Sequence, residues 1–367
     1  MTIINLVIFG IGNVGSTLIQ QISRAKFKIE REQNIRIQIP VITNSKLALF
    51  NTSQGETLDW GADFSDYAIP YQLNDILKYV AREQLENLIA IDVTASKELV
   101  KDYQTLIDNG FHLVAANKIA NTLDFDFYQN LRECLKDNQK KFYYETNVGA
   151  GLPVVDTVKS LYESGEQVTK IKGVFSGSLS YVFNRFSVEN IPFSEILTDA
   201  LNLGFTEPDA REDLSGNDVA RKLLILAREI GLRVEISDVK VESLVPPNLN
   251  GNTSLDEFKA RVQELDNLFD DVKQKQINNS VMRYIGELDT ISGEIKVALV
   301  TESIESDFAQ LTGTDALFEI YTESYQTRPL IIKGAGAGKE VTARGVLADI
   351  LKLAKLLKPT YVEYEHS

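Results

Sequence analysis

The fold is decided by the first stretch of the sequence, Ile3-Ile4-Asn5-Leu6-Val7-Ile8-Phe9-Gly10-Ile11-Gly12-Asn13-Val14-Gly15. Its first seven residues form a nearly continuous apolar run, which is typical of a strand buried on both faces of a parallel sheet. Three glycines follow at the spacing G-x-G-x-x-G, and residues 16–25 have the pattern of a helix. In such a turn the first glycine permits a tight bend, the second lets the backbone approach a pyrophosphate, and the third lets the helix pack on the strand. The candidate contacts to a dinucleotide are therefore Gly10, Ile11, Gly12, Asn13, Val14 and Gly15.

The chain continues as an alternation of strands and helices. Strands are predicted at 35–43, near 66–70, and at 88–93, 111–115 and 141–145, with helices at 97–109 and 124–138. Such alternation builds a parallel sheet with helices on its faces. We predict an α/β fold with a Rossmann-type doubly wound parallel sheet of about six strands, ending near residue 150.

The pattern changes after residue 150. Strands are predicted at 169–175, 281–287, 294–301 and 315–320, with helices at 178–187, 193–202 and 217–230 and a loop at 245–254. Strands adjacent in sequence can pair antiparallel, which favours a second, α+β domain. The glycine-rich turn Gly334–Gly338 and a predicted helix at 341–357 indicate that the chain then returns to the first domain. We therefore predict a dinucleotide-binding domain of residues 1–150 and 334–367, and a second domain of residues 151–333.

Composition excludes several classes of protein. The 367 residues carry a net charge of −14 and no run of Lys or Arg, which argues against a nucleic-acid partner or an anionic membrane surface. No signal peptide or membrane span is apparent, and the one cysteine fits a reducing compartment, so we expect a cytoplasmic protein. With only two histidines in the chain, a histidine-based mechanism or metal site is also disfavoured.

The end of the second predicted strand bears on the choice of cofactor. NAD is usually held there by an Asp or Glu on the ribose 2′-hydroxyl. The stretch Thr43-Asn44-Ser45-Lys46 contains no acid, and Lys46 could pair with a 2′-phosphate instead. We therefore expect NADP to be favoured over NAD. The alternative is that Lys46 is an ordinary solvated lysine.

Polar residues also follow the fourth and fifth strands of the predicted sheet. Thr94 comes after the strand at 88–93, and Asn117-Lys118 comes after the strand at 111–115. Ligands bind at the carboxyl ends of parallel strands, so Thr94 is a candidate wall of the nicotinamide site and Lys118 a candidate functional lysine.

An acid-rich segment at 207–222 has the spacing of a possible proton-transfer site. Asp218 and Lys222 are four residues apart and share one face of a predicted apolar helix. Desolvation lowers the pKa of a lysine towards values useful for proton transfer, while a nearby carboxylate opposes that shift. An ordinary ion pair between the two side chains explains the same spacing.

The sequence resembles homoserine dehydrogenase along nearly its whole length and in order. The matching stretches are Glu145-Thr146-Asn147-Val148-Gly149-Ala150-Gly151-Leu152-Pro153, Phe175-Ser176-Gly177-Ser178-Leu179-Ser180-Tyr181-Val182-Phe183-Asn184, Gly204-Phe205-Thr206-Glu207-Pro208-Asp209, Asp218-Val219-Ala220-Arg221-Lys222 and Gly334-Ala335-Gly336-Ala337-Gly338. The resemblance implies reversible NAD(P)H-dependent reduction of L-aspartate 4-semialdehyde to L-homoserine. It also implies a homodimer formed through the second, catalytic domain.

The resemblance assigns roles to individual residues. It implies that Lys222 is the acid/base group and that Lys118 assists beside the nicotinamide and substrate. Glu207 and Asp213 would hold the substrate amino group, with Asp218 on the hydroxyl side. Further assignments are cofactor contacts at Gly204 and Gly338, and a monovalent-cation site, expected to hold sodium, formed by Glu145, Val148, Ala150 and Leu152.

The sequence differs from many members of that family in two ways. We expect a short monofunctional form, without the aspartate kinase or the C-terminal regulatory domain that many members carry. Feedback by threonine through such a domain is then not expected. In addition, Lys339-Glu340 follows the terminal glycines where smaller residues are expected, which puts the local cofactor contact in question.

Three alternative functions differ in the residues that they require. Aspartate-semialdehyde dehydrogenase needs a cysteine nucleophile, and Cys134 lies in a helical pattern without a nearby histidine, which disfavours it. A second alternative is a dehydrogenase of the same build for another amino acid. A third is a non-catalytic dinucleotide sensor, against which the presence of Lys118, Asp218 and Lys222 argues.

Overall fold

Two units make up the chain, one formed by the described residues up to Asn147 and from Lys339 onward, the other by Val148–Gly338. The computed structural model describes residues 1–50, 60–251 and 253–359. No helix among these residues combines the length and the apolar character needed to cross a bilayer.

The first unit is built on a seven-stranded sheet. Its strands are β1 (Thr2–Phe9), β2 (Ile35–Thr43), β3 (Leu47–Phe50), β4 (Ile69–Pro70), β5 (Leu88–Asp92), β6 (His112–Ala115) and β7 (Phe142–Tyr143). They lie in the order β4-β3-β2-β1-β5-β6-β7. Strands β2, β1, β5, β6 and β7 are parallel to one another, whereas β3 and β4 pair antiparallel at one edge. Helices flank these strands, which confirms the predicted doubly wound sheet.

The helices of the first unit are α1 (Asn13–Gln33), α2 (Trp60–Tyr67), α3 (Leu73–Arg82), α4 (Lys97–Lys101), α5 (Tyr103–Asp108), α6 (Ile119–Thr122), α7 (Phe125–Asp137) and α15 (Lys339–Ala354). Helix α15 packs on α1: its buried side chains, among them Val346 and Ile350, share one core with Leu18 and Ile22 of α1. Helix α15 therefore belongs to the first unit. The chain re-enters this unit at Lys339, five residues after the predicted residue 334. Gly334 and Ala335 instead lie in a strand of the second unit.

Two local predictions in the first unit were wrong. The segment near 66–70 was predicted to be a strand, but Asp66 and Tyr67 are the last residues of helix α2, and only Ile69–Pro70 pairs in the sheet. Strand β3 was not predicted at all. It forms because the Asn44 side-chain oxygen accepts the backbone N–H groups of Lys46 and Leu47, at 2.8 and 2.7 Å, and so closes a tight hairpin after β2.

A buried histidine makes the first unit sensitive to acid. His112 is 8% exposed, and its Nδ1 accepts the backbone N–H of Lys141 at 3.0 Å. Burial, helped by the positive charges of Lys140 and Lys141, lowers the pKa of His112 from 6.5 to about 4. The unfolded chain therefore takes up this proton at a higher pH than the folded one. The stability that depends on a neutral His112 is complete above about pH 6.5 and is lost as the pH falls towards about 4.

We expect this loss to be on the order of 3 kcal/mol of unfolding free energy between about pH 6.5 and about pH 4. Urea unfolding at several pH values in that window measures it. The control is His112→Asn, whose side-chain oxygen can still accept the Lys141 N–H but does not titrate there. Wild type should lose clearly more stability than this variant on acidification, and equal losses would contradict the prediction.

The second unit contains a six-stranded sheet in the order β13-β12-β8-β10-β11-β9. Its strands are β8 (Val168–Val174), β9 (Lys240–Val241), β10 (Ser280–Asp289), β11 (Glu294–Ser303), β12 (Asp315–Thr322) and β13 (Leu330–Ala335). Pairing is antiparallel except between β11 and β9. The predicted α+β character is confirmed, although β9 and β13 were missed.

The helices of this unit are α8 (Val154–Glu163), α9 (Gly177–Phe186), α10 (Phe193–Asn202), α11 (Ala210–Leu214), α12 (Asn217–Glu229), α13 (Leu255–Arg261) and α14 (Glu264–Gln274). Aromatic rings in tilted and edge-to-face contact join α9 to α10 and α14, while Phe193 of α10 and Phe269 of α14 stack nearly parallel at 3.6 Å between centroids. Helix α12 is apolar along most of its length and is buried from Leu223 to Glu229. This packing fixes the helix that carries the acid–lysine pair.

Candidate active site

At two of the three glycines in the turn after β1, neighbouring atoms of the protein leave no room for a side chain. Gly10 has φ +103°, and a Cβ there would lie 2.9 Å from Thr94 Cγ2. A Cβ on Gly15 would lie 2.0 Å from the Gly10 carbonyl oxygen, so only glycine lets α1 approach β1 this closely. Around Gly12, by contrast, no atom of the described residues lies within 4 Å of an added Cβ. The missing side chain at Gly12 therefore has no internal packing reason.

Gly12 also precedes the first residue of α1 and has extended backbone angles, with φ −68° and ψ −163°. Because Gly12 has no side chain, the start of the helix is open to solvent. Gly12 and Asn13 are exposed, and Ile11 and Val14 are half-buried. Backbone N–H groups and the helix dipole favour an anion at such a point. The turn formed by Gly10, Ile11, Gly12, Asn13, Val14 and Gly15 therefore fits the pyrophosphate of a dinucleotide and could hold it.

Lys46 lies in the β2–β3 hairpin and is exposed. The hairpin is pinned by Asn44, whose carbonyl oxygen also accepts the Tyr71 hydroxyl at 3.2 Å. Thr43, the last residue of β2, is buried, and its carbonyl accepts the Gly10 N–H at 2.9 Å. The fold therefore places the lysine on the loop that follows the strand next to the glycine turn.

The loops after β5 and β6 are joined by one buried carboxylate that the sequence analysis did not single out. Asp92, the last residue of β5, accepts hydrogen bonds from Thr94, Tyr103 and Asn117. Burial raises the pKa of Asp92, and these hydrogen bonds oppose the rise. Lys118 directly follows Asn117, precedes the first residue of α6 and is half-buried. Thr94 is thus a direct partner of Asp92, and Lys118 follows another partner, Asn117.

In the second unit the predicted pair is formed. Lys222 Nζ lies 2.8 Å from Asp218 Oδ2 and donates to the backbone carbonyl of Phe175, also at 2.8 Å. The Lys222 side chain is 11% exposed, whereas that of Asp218 is 45% exposed. An ammonium group has three N–H donors, and two of them point at these acceptors. The third can serve an oxygen of a bound substrate.

Asp213 has two partners of its own within the second unit. Its Oδ1 accepts the Ser178 hydroxyl at 2.6 Å, and its Oδ2 accepts the backbone N–H of Glu207 at 2.8 Å. Burial raises the pKa of Asp213, the two hydrogen bonds lower it, and the charge of Asp218 raises it further. The carboxylate therefore holds the segment of Glu207, whose own side chain is exposed. Ser178 was missed as a candidate because it lies 35 residues away in sequence.

The neighbouring acid Asp209 is engaged elsewhere. Its carboxylate forms a bidentate pair with Arg211, at 2.8 and 2.6 Å, and its pKa is lowered by that hydrogen bonding. Arg211 also donates to the carbonyl of Thr253 at 2.7 Å. Asp209 therefore closes the start of α11, and its carboxylate is engaged by Arg211.

The remaining predicted residues lie on turns. Gly204, after α10, and Gly338, just before α15, both have left-handed backbone, with φ +73° and +117°.

Glu145 is buried, and its N–H donates to Asp349 of α15 at 2.9 Å. Gly149 and Ala150 are consecutive left-handed residues, so the backbone turns sharply there. Among the described residues no group of three or more His, Cys, Asp and Glu side chains could hold a metal; a site of backbone carbonyls and one carboxylate is a different kind.

Cys134 does not have the surroundings of a nucleophile. Burial and the nearby Asp108 carboxylate, 3.7 Å from its sulfur, raise the pKa of its thiol. A catalytic thiol needs the opposite shift. This disfavours aspartate-semialdehyde dehydrogenase further.

Two protein-family models match the chain. The model described as homoserine dehydrogenase matches residues 153–351, and the model described as the NAD binding domain of homoserine dehydrogenase matches residues 10–145. The chain belongs to the homoserine dehydrogenase family. The resemblance seen in the sequence is thereby confirmed, and the family is one of NAD(P)-dependent oxidoreductases.

Curated relatives of this chain are named for two activities, aspartokinase and homoserine dehydrogenase. The bifunctional aspartokinase/homoserine dehydrogenase of Buchnera aphidicola is 38% identical over 95% of this chain and 42% of the relative. The chloroplastic bifunctional aspartokinase/homoserine dehydrogenase 2 of Arabidopsis thaliana is 37% identical over 95% of this chain and 38% of the relative. The chain spans about two fifths of the length of these relatives.

Solved structures of similar fold include two that cover nearly all of this chain. A Candida auris protein of unknown function has a TM-score of 0.88 at 33% identity, covering 97% of this chain and 99% of that one. The homoserine dehydrogenase of S. aureus has a TM-score of 0.69 at 21% identity, covering 99% of this chain and 79% of that one. At that identity the second likeness concerns the fold alone.

Proposed function

We propose that this chain catalyses the reversible NAD(P)H-dependent reduction of L-aspartate 4-semialdehyde to L-homoserine, a step towards threonine, methionine and isoleucine. The observation that carries the proposal is the Lys222 ammonium, held by Asp218 and the Phe175 carbonyl with one N–H left for a substrate oxygen. Family membership supplies the nicotinamide cofactor, and the glycine turn fits its pyrophosphate.

The chemistry divides between cofactor and chain. The nicotinamide, when bound, supplies the hydride that reduces the aldehyde carbon. Lys222 donates a proton to the carbonyl oxygen as it gains negative charge, and in the reverse direction accepts the hydroxyl proton. Asp218 keeps the ammonium oriented and lies on the hydroxyl side of the substrate. Because a held ammonium needs no reorganisation during the reaction, its charge is available as the alkoxide forms.

The substrate is an amino acid, so its ammonium group needs acceptors. Glu207 has an exposed side chain. Asp213 accepts the backbone N–H of Glu207 and so places a second carboxylate beside it. We propose that these two acids hold the substrate amino group. Lys118 and Thr94 contact the nicotinamide side, with Gly204 and Gly338 as further cofactor contacts.

The cation site and the assembly are carried over from the resemblance. Glu145 with the backbone carbonyls of Val148, Ala150 and Leu152 would bind sodium, for which an all-oxygen shell is suitable. The sharp backbone turn at Gly149 and Ala150 supports this, since it redirects successive carbonyls. We further propose a cytoplasmic homodimer formed through the second unit, with neither nucleic acid nor membrane as partner, in keeping with the net charge of −14.

The direct test is NADPH oxidation on addition of L-aspartate 4-semialdehyde, with homoserine identified as product by mass spectrometry. Succinic semialdehyde, which lacks the amino group, is the matched control and should react at least about 10²-fold more slowly, because it has no ammonium group for the acids at 207 and 213 to hold. Turnover of another amino-acid aldehyde in preference would favour a different dehydrogenase of this build. Cofactor binding without any turnover would favour a sensor.

Cofactor preference gives a separate prediction. We expect kcat/KM to be about tenfold or more higher with NADPH than with NADH, because Lys46 can pair with the 2′-phosphate. Lys46→Ala should remove most of that difference through KM for NADPH, while Lys136→Ala, an exposed lysine on α7, should not. A strong preference of the wild type for NADH would contradict the role given to Lys46.

A further inference from the structure

Four hydrogen bonds converge on the carboxylate of Asp92, which is 3% exposed at the carboxyl end of β5. Oδ1 accepts the backbone N–H of Thr94 at 2.9 Å and its hydroxyl at 2.7 Å. Oδ2 accepts the Tyr103 hydroxyl at 2.7 Å and the Asn117 amide at 2.9 Å. A carboxylate has about four lone-pair directions, so all of them are in use. Asp92 is therefore not placed to exchange a proton with a substrate.

Asn117 extends this arrangement to a second loop. Its Nδ2 also donates to the carbonyl of Ser96 at 3.0 Å, and its Oδ1 accepts the backbone N–H of Ile119 at 3.0 Å. The backbone carbonyl of Asp92 accepts the N–H of Ala116 at 2.9 Å. The residues on both sides of Lys118 are thus fixed by side-chain hydrogen bonds that lead back to one carboxylate.

Burying a carboxylate costs several kcal/mol, and the four donors here are all neutral groups. A turn after a strand needs no buried charge, because Asn or Ser can close it. What the carboxylate adds is four acceptor directions at one point, enough to tie the loop after β5, the loop after β6 and helix α5 together.

We propose that Asp92 is a positioning residue, which orders Thr94 directly and Lys118 through Asn117 for their work beside the nicotinamide. The proposal rests on the proposed function for the roles of Thr94 and Lys118. Its structural half, the ordering of two loops by one carboxylate, stands apart from the identity of the substrate.

Replacing Asp92 by asparagine tests this point sharply. The amide keeps one acceptor oxygen and puts an NH₂ donor where the second oxygen was. The hydroxyls of Thr94 and Tyr103 can turn to accept, but the Thr94 N–H and the Asn117 NH₂ cannot. Whichever way the new side chain turns, one of the two loops loses its acceptor. Tyr103→Phe is the matched control, because it removes one hydrogen bond from the same carboxylate and leaves both loops bonded.

We expect Asp92→Asn to lower kcat by about tenfold to 10²-fold well below its Tm, the size of effect that a small misplacement produces. KM for aspartate semialdehyde should change by less than about threefold, since Glu207 and Asp213 keep their contacts. Hydrogen exchange should speed up in the loop that loses its acceptor, at residues 93–96 or at residues 116–119. Tyr103→Phe should lower Tm but leave kcat within about threefold and both loops protected.

Equal kcat in Asp92→Asn and wild type, or equal losses of kcat in the two variants, would overturn the proposal. Should Asp92→Asn fail to fold, Asn117→Ser cuts the link to the second loop alone, and unchanged exchange at 116–119 in that variant would also overturn it. If the wild type does not turn over aspartate semialdehyde, the proposed function fails, while hydrogen exchange and the Kd for NADPH, measured by its fluorescence, still decide the role of Asp92.

Discussion

Lys222→Ala is expected to lower kcat by about 10³-fold or more in both directions while leaving the Kd for NADPH within about twofold. The variant loses the proton donor and the positive charge beside the forming alkoxide together. It removes the Lys222 ammonium from Asp218, but the Asp218 side chain is 45% exposed and can be solvated, so the fold should survive. Stopped-flow measurement of NADPH oxidation, with Kd by fluorescence titration, separates the chemical step from binding.

A matched control is available on another helix of the same unit. Lys159 pairs with Glu163 at the same four-residue spacing, at 3.9 Å, and the two side chains are 42% and 65% exposed. Lys159→Ala should leave kcat unchanged within about twofold, as is usual for exposed ion pairs. Substantial turnover in Lys222→Ala would mean that another group is the proton donor.

Gly15→Ala and Gly12→Ala are expected to fail in different ways, although they lie three residues apart. A Cβ at Gly15 would fall 2.0 Å from the Gly10 carbonyl oxygen, so α1 must move away from β1. Such overpacking costs about 1–3 kcal/mol or more of unfolding free energy and should also abolish NADPH binding. Gly12→Ala should leave Tm unchanged or slightly raised, because no described atom lies near its Cβ and the unfolded chain becomes less flexible.

What Gly12→Ala should lose is affinity for the cofactor, by about tenfold or more, because its Cβ occupies the approach of the pyrophosphate. Thermal unfolding and NADPH titration of both variants provide the measurement. Wild-type affinity in Gly12→Ala would contradict the assignment of this turn to the cofactor, and wild-type stability in Gly15→Ala would contradict the packing argument.

The parts of the fold that follow from local patterns were predictable. The β1–turn–α1 segment is set by a continuous apolar run and three glycines, and the Asp218–Lys222 pair by helical periodicity; both are found. The hairpin at β3 was not predictable from periodicity, because four residues are too few to show a period and the hairpin depends on one side-chain oxygen of Asn44. Strand β13 was missed, and its last two residues, Gly334 and Ala335, were read as part of a glycine-rich turn, since they carry no strand signal of their own.

The contacts that organise the candidate site could not be predicted from the sequence. The Ser178–Asp213 hydrogen bond joins residues 35 apart, and Asp92 meets Asn117 across 25 residues. No periodicity connects such positions; only the pairing of strands and the packing of helices does. The sequence named Thr94 and Lys118 from their places after strands, but it contained no sign that one buried carboxylate holds both loops.

The packing of α15 on α1 has a consequence for the order in which the chain acquires its structure. Residues 18 and 350 share one core although more than three hundred residues separate them, and the whole second unit lies between them in sequence. Until Lys339 and the residues after it have been synthesised, the buried face of α1 has no partner from α15. The nucleotide-binding unit, whose signature occupies the first residues of the chain, is therefore the last to be completed, and a fragment ending at Asn147 would expose apolar surface and aggregate.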